Sequence, residues 1–178
     1  ITMPVSVPKC MVGIKESNGR LEKEELLSKE LLTSMVVDHY FSKGGDFHQE
    51  LYQEGLIDSS FSFESNIDST FGYTLIGGNT TKPNELAEKV KELLLSTKQH
   101  EISNEEFSRM KKKKIGRILR AMNSIEYIAN QFTDYHRHGI NFFDVIPHIQ
   151  SMNVTDVNKF LKNWIDENRL AICTIQGE

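Results

Sequence analysis

The chain is sparing with cysteine, proline and tryptophan, with two, four and one of them in 178 residues. It also has no apolar run approaching the roughly eighteen residues that a membrane-spanning helix needs. Neither a disulfide-stapled scaffold nor a membrane-embedded one is indicated. Cys10 and Cys173 lie near opposite ends, inside the apolar segments Val7 to Ile14 and Leu170 to Ile175. They read as two buried free thiols on strands, the pattern of a reducing and therefore cytoplasmic compartment. Positive charge is in deficit: 21 Lys and Arg stand against 25 Asp and Glu, a formal net charge of -4. No general attraction to nucleic acid or anionic lipid is expected. The first residues lack the basic and apolar regions of a signal peptide, and a start at Ile1 points to a piece of a longer protein.

Catalytic signatures are missing as well. A zinc peptidase helix carries HExxH or its inversion HxxEH, because two histidines one turn apart point both imidazoles at one ion beside a general-base Glu. Neither pattern occurs here. His48 and Glu50 form H-x-E without the downstream P-C-x-x-C of a zinc deaminase. His136 and His138, two residues apart, would leave a helix on different faces, so all three histidines read as surface or cap residues. G-x-S-x-G is absent, and neither cysteine sits in a basic setting that favours a thiolate. Gly77-Gly78-Asn79-Thr80-Thr81 lacks the G-x-x-x-x-G-K-[ST] spacing of a phosphate loop and reads as a strand-to-helix turn.

What is present is an ordinary globular composition, 38% apolar and 26% charged, of a length that suits one domain over residues 1–178. Lys9 to Glu16 reads as a strand ended by the turn Ser17-Asn18-Gly19. Leu27, Leu31, Met35 and Tyr40 mark an amphipathic helix from Leu21 to Phe41, stopped by Gly44-Gly45. Asp46 reads as the N-cap of a short helix, Phe47 to Glu54, with Gly55 as its stop. The period then switches to two at Phe61 and Phe63, and a turn at Asn66 to Ser69 leads to a strand over Phe71 to Gly77, predicting an antiparallel hairpin. Pro83 with Glu85 starts a helix running to about Thr97. Ser103 and Glu106 open a long one, bent near Asn123-Ser124 and running to Tyr135. A short segment over Phe142 to Met152, a helix with Phe160 and Trp164 inward, and a strand from Leu170 to Ile175 complete an α+β pattern.

The run Lys111 to Lys114, with Arg109, Arg117 and Arg120, is the one basic cluster. Four consecutive helical residues spread around the helix, and no aromatics interleave for base stacking, so a solvated face is expected and nucleic acid is not.

The short helix and strand carry a resemblance. Phe47-His48-Gln49-Glu50-Leu51-Tyr52-Gln53-Glu54-Gly55-Leu56-Ile57-Asp58, with Val7-Pro8-Lys9 to Gly13-Ile14-Lys15-Glu16, Phe71 to Gly78, Pro83-Asn84-Glu85-Leu86 and Glu105 to Lys111, resembles the C-terminal, non-zinc half of pitrilysin/insulinase-family metallopeptidases. The mitochondrial processing peptidase-like proteins are among these. "LYQEGLID" and "KKKKIGRILRAMNS" place the likeness nearest the bacterial YmfH-type branch. The resemblance implies an α/β roll, a mainly antiparallel sheet with helices packed on one face. It implies that zinc belongs to a separate N-terminal half, with none bound in this chain. Expected partners are that N-terminal half, a homologous partner subunit in a heterodimer, and a peptide substrate enclosed between halves. Many relatives place an Arg and a Tyr here to hold the scissile peptide, and the aligned positions are Tyr52 and Asp58. With Phe61 these form the expected substrate-chamber wall, and no catalytic residue is expected. The alternative implied is a scaffold or interaction subunit with no proteolytic role.

Overall fold

Strand β1 (Lys9–Lys15) buries Cys10, Val12 and Ile14 and exposes Lys9 and Lys15, since successive side chains leave a strand on opposite faces. The computed structural model describes residues 1–2, 5–16 and 19–176. Ser17 and Asn18 of the expected turn lie outside them. β1 is central in a four-stranded antiparallel sheet of order β2-β3-β1-β4, with β2 (Ser62–Ile67), β3 (Gly72–Asn79) and β4 (Leu170–Ile175). The expected hairpin is β2 and β3, and register sets Phe63 opposite Ile76, Ile76 opposite Val12, and Val12 opposite Ile172. That row faces the helices.

Helix α1 (Lys23–Phe41) is apolar on nearly every side, with Leu27, Leu31, Val36 and Phe41 among eleven buried residues. A helix hydrophobic all round belongs at the centre of a core. It packs on β2 and beneath α4 (Asn104–Ala121), α6 (Val145–Ser151) and α7 (Val154–Trp164). α3 (Pro83–Ser96) lies on β1 and β4 and carries Pro83 at its start. The arrangement is α+β, with helices on one face of the sheet. Glu16, only 5% exposed, accepts from Trp164 Nε1 at 3.1 Å and pairs with Lys29 at 3.2 Å, so a buried carboxylate with two donors locks α7 to the end of β1.

Two expectations change. The long helix is not one bent rod: α4 ends at Ala121 and α5 (Ile125–Arg137) begins anew, with Ser124 accepting from the Tyr127 N–H. Asn123 Nδ2 donates to the Arg120 carbonyl. Asn and Ser side chains compete with the helical ladder for backbone partners, and here they end one helix and cap the next. The thiols also differ. Cys10 is buried, and burial pushes it up to about 11, but Cys173 is exposed. β4 is an edge strand, and Cys173, paired with Met11, points away from the helices.

Candidate functional site

Helix α2 (Asp46–Gln53) follows α1 through the loop Ser42 to Gly45, and its N-cap is Gly45, so Asp46 is its first helical residue rather than the cap. Phe47 and Leu51 are 4% and 0% exposed, each burial favourable by roughly 1.5–3 kcal/mol. They seat the helix beside α1, where Tyr40 stacks on Phe47 at a centroid distance of 4.4 Å. Glu50 and Glu54 lie 2.6 and 3.0 Å from Lys89 Nζ on α3. These hydrogen bonds, Glu50's foremost, raise the lysine's pKa. Gly55, at φ +64, takes a left-handed conformation that costs other residues more, and turns the chain toward β2.

With one side of α2 buried and another tied to α3, His48, Gln49, Tyr52 and Gln53 line a cleft of about 1090 Å³. Asp58, Phe61 and Phe63 close it from the β2 side, while Asp38, Phe41, Lys43, Lys113 and Arg117 line it from α1, its following loop and α4. Tyr52, Asp58 and Phe61, the three residues singled out from sequence, therefore border one concavity. His48 bridges them: its ring stacks near Tyr52 (6.5 Å, 14°) and meets Phe61 edge-on (5.7 Å, 72°). Tyr52 is 66% exposed. Asp58 accepts from the Ser60 hydroxyl at 2.5 Å and the Ser60 N–H at 2.8 Å. Those two bonds, the hydroxyl's first, hold its carboxyl below the usual aspartate range. Ser60 Oγ in turn accepts from the Asn79 N–H at 2.8 Å, fixing this rim to the end of β3.

The opposite wall rests on a pairing that the local sequence pattern does not announce. Asp38, largely buried, accepts 2.6 Å bonds from Lys113 Nζ at Oδ2 and Arg117 Nη1 at Oδ1. A lone carboxylate inside the apolar run Met35-Val36-Val37-Asp38-His39-Tyr40-Phe41 was the available signal, because a buried charge needs partners. The basic cluster is correspondingly less solvated than expected. Lys111 Nζ donates to the Gln150 and Met152 carbonyls at 2.9 and 2.8 Å. Lys114 Nζ donates to Ser34 at 2.6 Å, and burial lowers its pKa.

The other histidines do not converge. His136 is exposed and stacks on Phe132 at 5.7 Å, while His138 Nε2 lies 3.8 Å from Asp68. Among the described residues no group of three or more His, Cys, Asp or Glu is placed to hold a metal ion. Gly77 and Gly78 lie within β3, not in a turn. A Cβ on Gly77 would collide with the Cys10 carbonyl of the neighbouring strand. Among the described residues no helix is long and apolar enough to cross a membrane.

Comparison with known proteins identifies the family and the fold. A family model described as the Peptidase M16 inactive domain matches residues 19–114. The chain is 38% identical over 175 residues to the uncharacterized zinc protease YmfH of Bacillus subtilis (strain 168), covering 98% of this chain and 41% of that protein. Among solved structures, one described as an M16-like peptidase from Alicyclobacillus acidocaldarius superposes with a TM-score of 0.90 at 29% identity, covering 99% of this chain and 42% of its own. The inactive peptidase domain of a zinc protease from Bordetella parapertussis gives 0.75 at 12% identity, over 98% and 92%, and shares the fold. The chain thus spans about two fifths of the curated relative and of the first of these structures.

Proposed function

Since this chain belongs to the Peptidase M16 inactive-domain family, we propose that it is the non-catalytic C-terminal half of a zinc-dependent metallopeptidase-like protein, completing a peptide-binding chamber and a subunit interface. The observation that carries the reading is the convergence of Tyr52, Asp58 and Phe61 on the cleft between α2 and β2. An exposed Tyr beside a His and a Phe offers flat surfaces on which an extended peptide lays its side chains. An ionised Asp58 accepts hydrogen bonds and donates none, so it contacts a peptide N–H rather than stabilising a developing oxyanion. The part of this chain is to hold and orient the peptide.

The partners in this reading are the protein's own N-terminal half, which brings the zinc, and a homologous subunit. Ile125, Phe132 and Phe143 are 85%, 44% and 57% exposed, and Phe132 and Phe143 lie 6.5 Å apart. That exposed apolar surface on and beside α5 supports the interface part of the proposal. The test is to incubate the chain with an unstructured peptide, with and without added zinc, following binding by calorimetry and integrity by mass spectrometry. Saturable binding with the peptide left intact is expected. Zinc-dependent cleavage by this chain would overturn the non-catalytic assignment, and absence of binding would favour a scaffold with no proteolytic role.

A further inference from the structure

The two sides of the cleft differ in charge. On the α1–α4 side, the Asp38 side chain is 13% exposed, whereas those of Lys113 and Arg117 are 44% and 53% exposed. One carboxylate holds two cations, so a surplus positive charge is fixed at the cleft surface. Lys43, exposed on the adjoining loop, adds a second. Arg117 gives one N–H to Asp38 out of the five that a guanidinium carries, and the planar group is suited to binding a second carboxylate. Because the cations are already held by the buried anion, little ordering remains to oppose a ligand. Phe61, Phe63 and Ile57 give the same cleft an apolar side.

We propose, resting on the peptide-binding reading above, that this cleft selects segments in which an acidic side chain neighbours an apolar one. The carboxylate sits on Lys113 and Arg117 and the apolar group lies against Phe61. Asp58, at the other rim, repels a second acid there, so the segment has a preferred direction. A polyphosphate chain is a poorer match. Lys111 and Lys114 are turned onto the Gln150 and Met152 carbonyls and Ser34, and the cations that line the cleft are Lys43, Lys113 and Arg117, too short a row to track a phosphate backbone.

The test uses calorimetric titration of unlabelled, unstructured peptides that differ only in one residue, Glu, Gln or Lys, beside a Leu-Phe pair. The Glu peptide is expected to bind about fivefold tighter than the Gln peptide at low salt, with the Lys peptide weakest and the spread shrinking as salt is raised. In Arg117→Gln and, separately, Lys113→Gln, checked for fold by circular dichroism, the Glu preference is expected to fall toward unity while Gln-peptide binding persists. Equal binding of the Glu and Gln peptides to the unaltered chain overturns this selectivity while leaving the peptide-binding reading intact. A Glu preference undiminished in both variants overturns its assignment to these cations. No binding of any peptide overturns both.

Discussion

The two walls of the cleft are held by different physics. The α2–β2 wall is seated by apolar burial, with Phe47 and Leu51 sunk in the core and Tyr40 stacked behind them. The α1–α4 wall is held in register at its surface by one largely buried carboxylate under two half-exposed cations. Buried apolar contact is non-directional and is not screened by salt, whereas the ion-paired wall has defined geometry and weakens as ions screen it. In the proposed function the first wall would supply a platform and the second discrimination.

The comparison is broken most severely at Leu51. Leu51→Ala removes the fully buried seat of α2 and is expected to cost about 2–5 kcal/mol in chemical denaturation, with peptide affinity lost as His48 and Tyr52 are displaced. Asp38→Ala is expected to cost less, about 1–2 kcal/mol, because the two cations it strands can be hydrated. Its denaturation midpoint should become more salt-sensitive, since Lys113 and Arg117 then repel each other. Tyr52→Ala should leave stability within about 0.5 kcal/mol, the side chain being mostly exposed, and weaken peptide binding by roughly three- to tenfold. A large stability loss there would mean that Tyr52 is structural.

The smallest effect lies at the Asp58 rim. Its carboxyl is depressed by the Ser60 hydroxyl and N–H, so the native state binds its proton less readily than the unfolded chain. The associated stability is present above the ordinary aspartate pKa and is lost as pH falls through the lowered native value. In Ser60→Ala the Asp58 pKa should move up toward the ordinary range, as read by carboxyl-carbon NMR titration. An unchanged value would mean that the hydroxyl is not the main cause.

The difference between the walls also explains what could be read in advance. The α2–β2 wall is local in sequence. An apolar pair at helical spacing, Gly55 as a stop and a switch to alternation at Phe61 all fall within a score of residues, and it is the family resemblance carried by that stretch, not its spacing, that singles out Tyr52 and Asp58, which with Phe61 line the cleft. The α1–α4 wall joins residues 75 and 79 positions apart, and no local period encodes that pairing. The same holds for Lys111 and Lys114. A lysine run looks solvated until α1 and α6 are known to lie beside it. The exposure of Cys173 is not legible in an apolar strand sequence, which does not announce which face of the sheet the helices cover. The break between α4 and α5 was located near Asn123-Ser124, but its sharpness depends on Ser124 capping a new helix, a matter of side-chain geometry rather than spacing.

The central claim, that this chain holds peptide in the α2–β2 cleft, is tested most directly by hydrogen–deuterium exchange with and without a saturating unstructured peptide. The account predicts slowed exchange in segments 42–63 and 113–117 and no change along α5. Protection confined to α5, or none anywhere while the peptide is demonstrably bound, would contradict it.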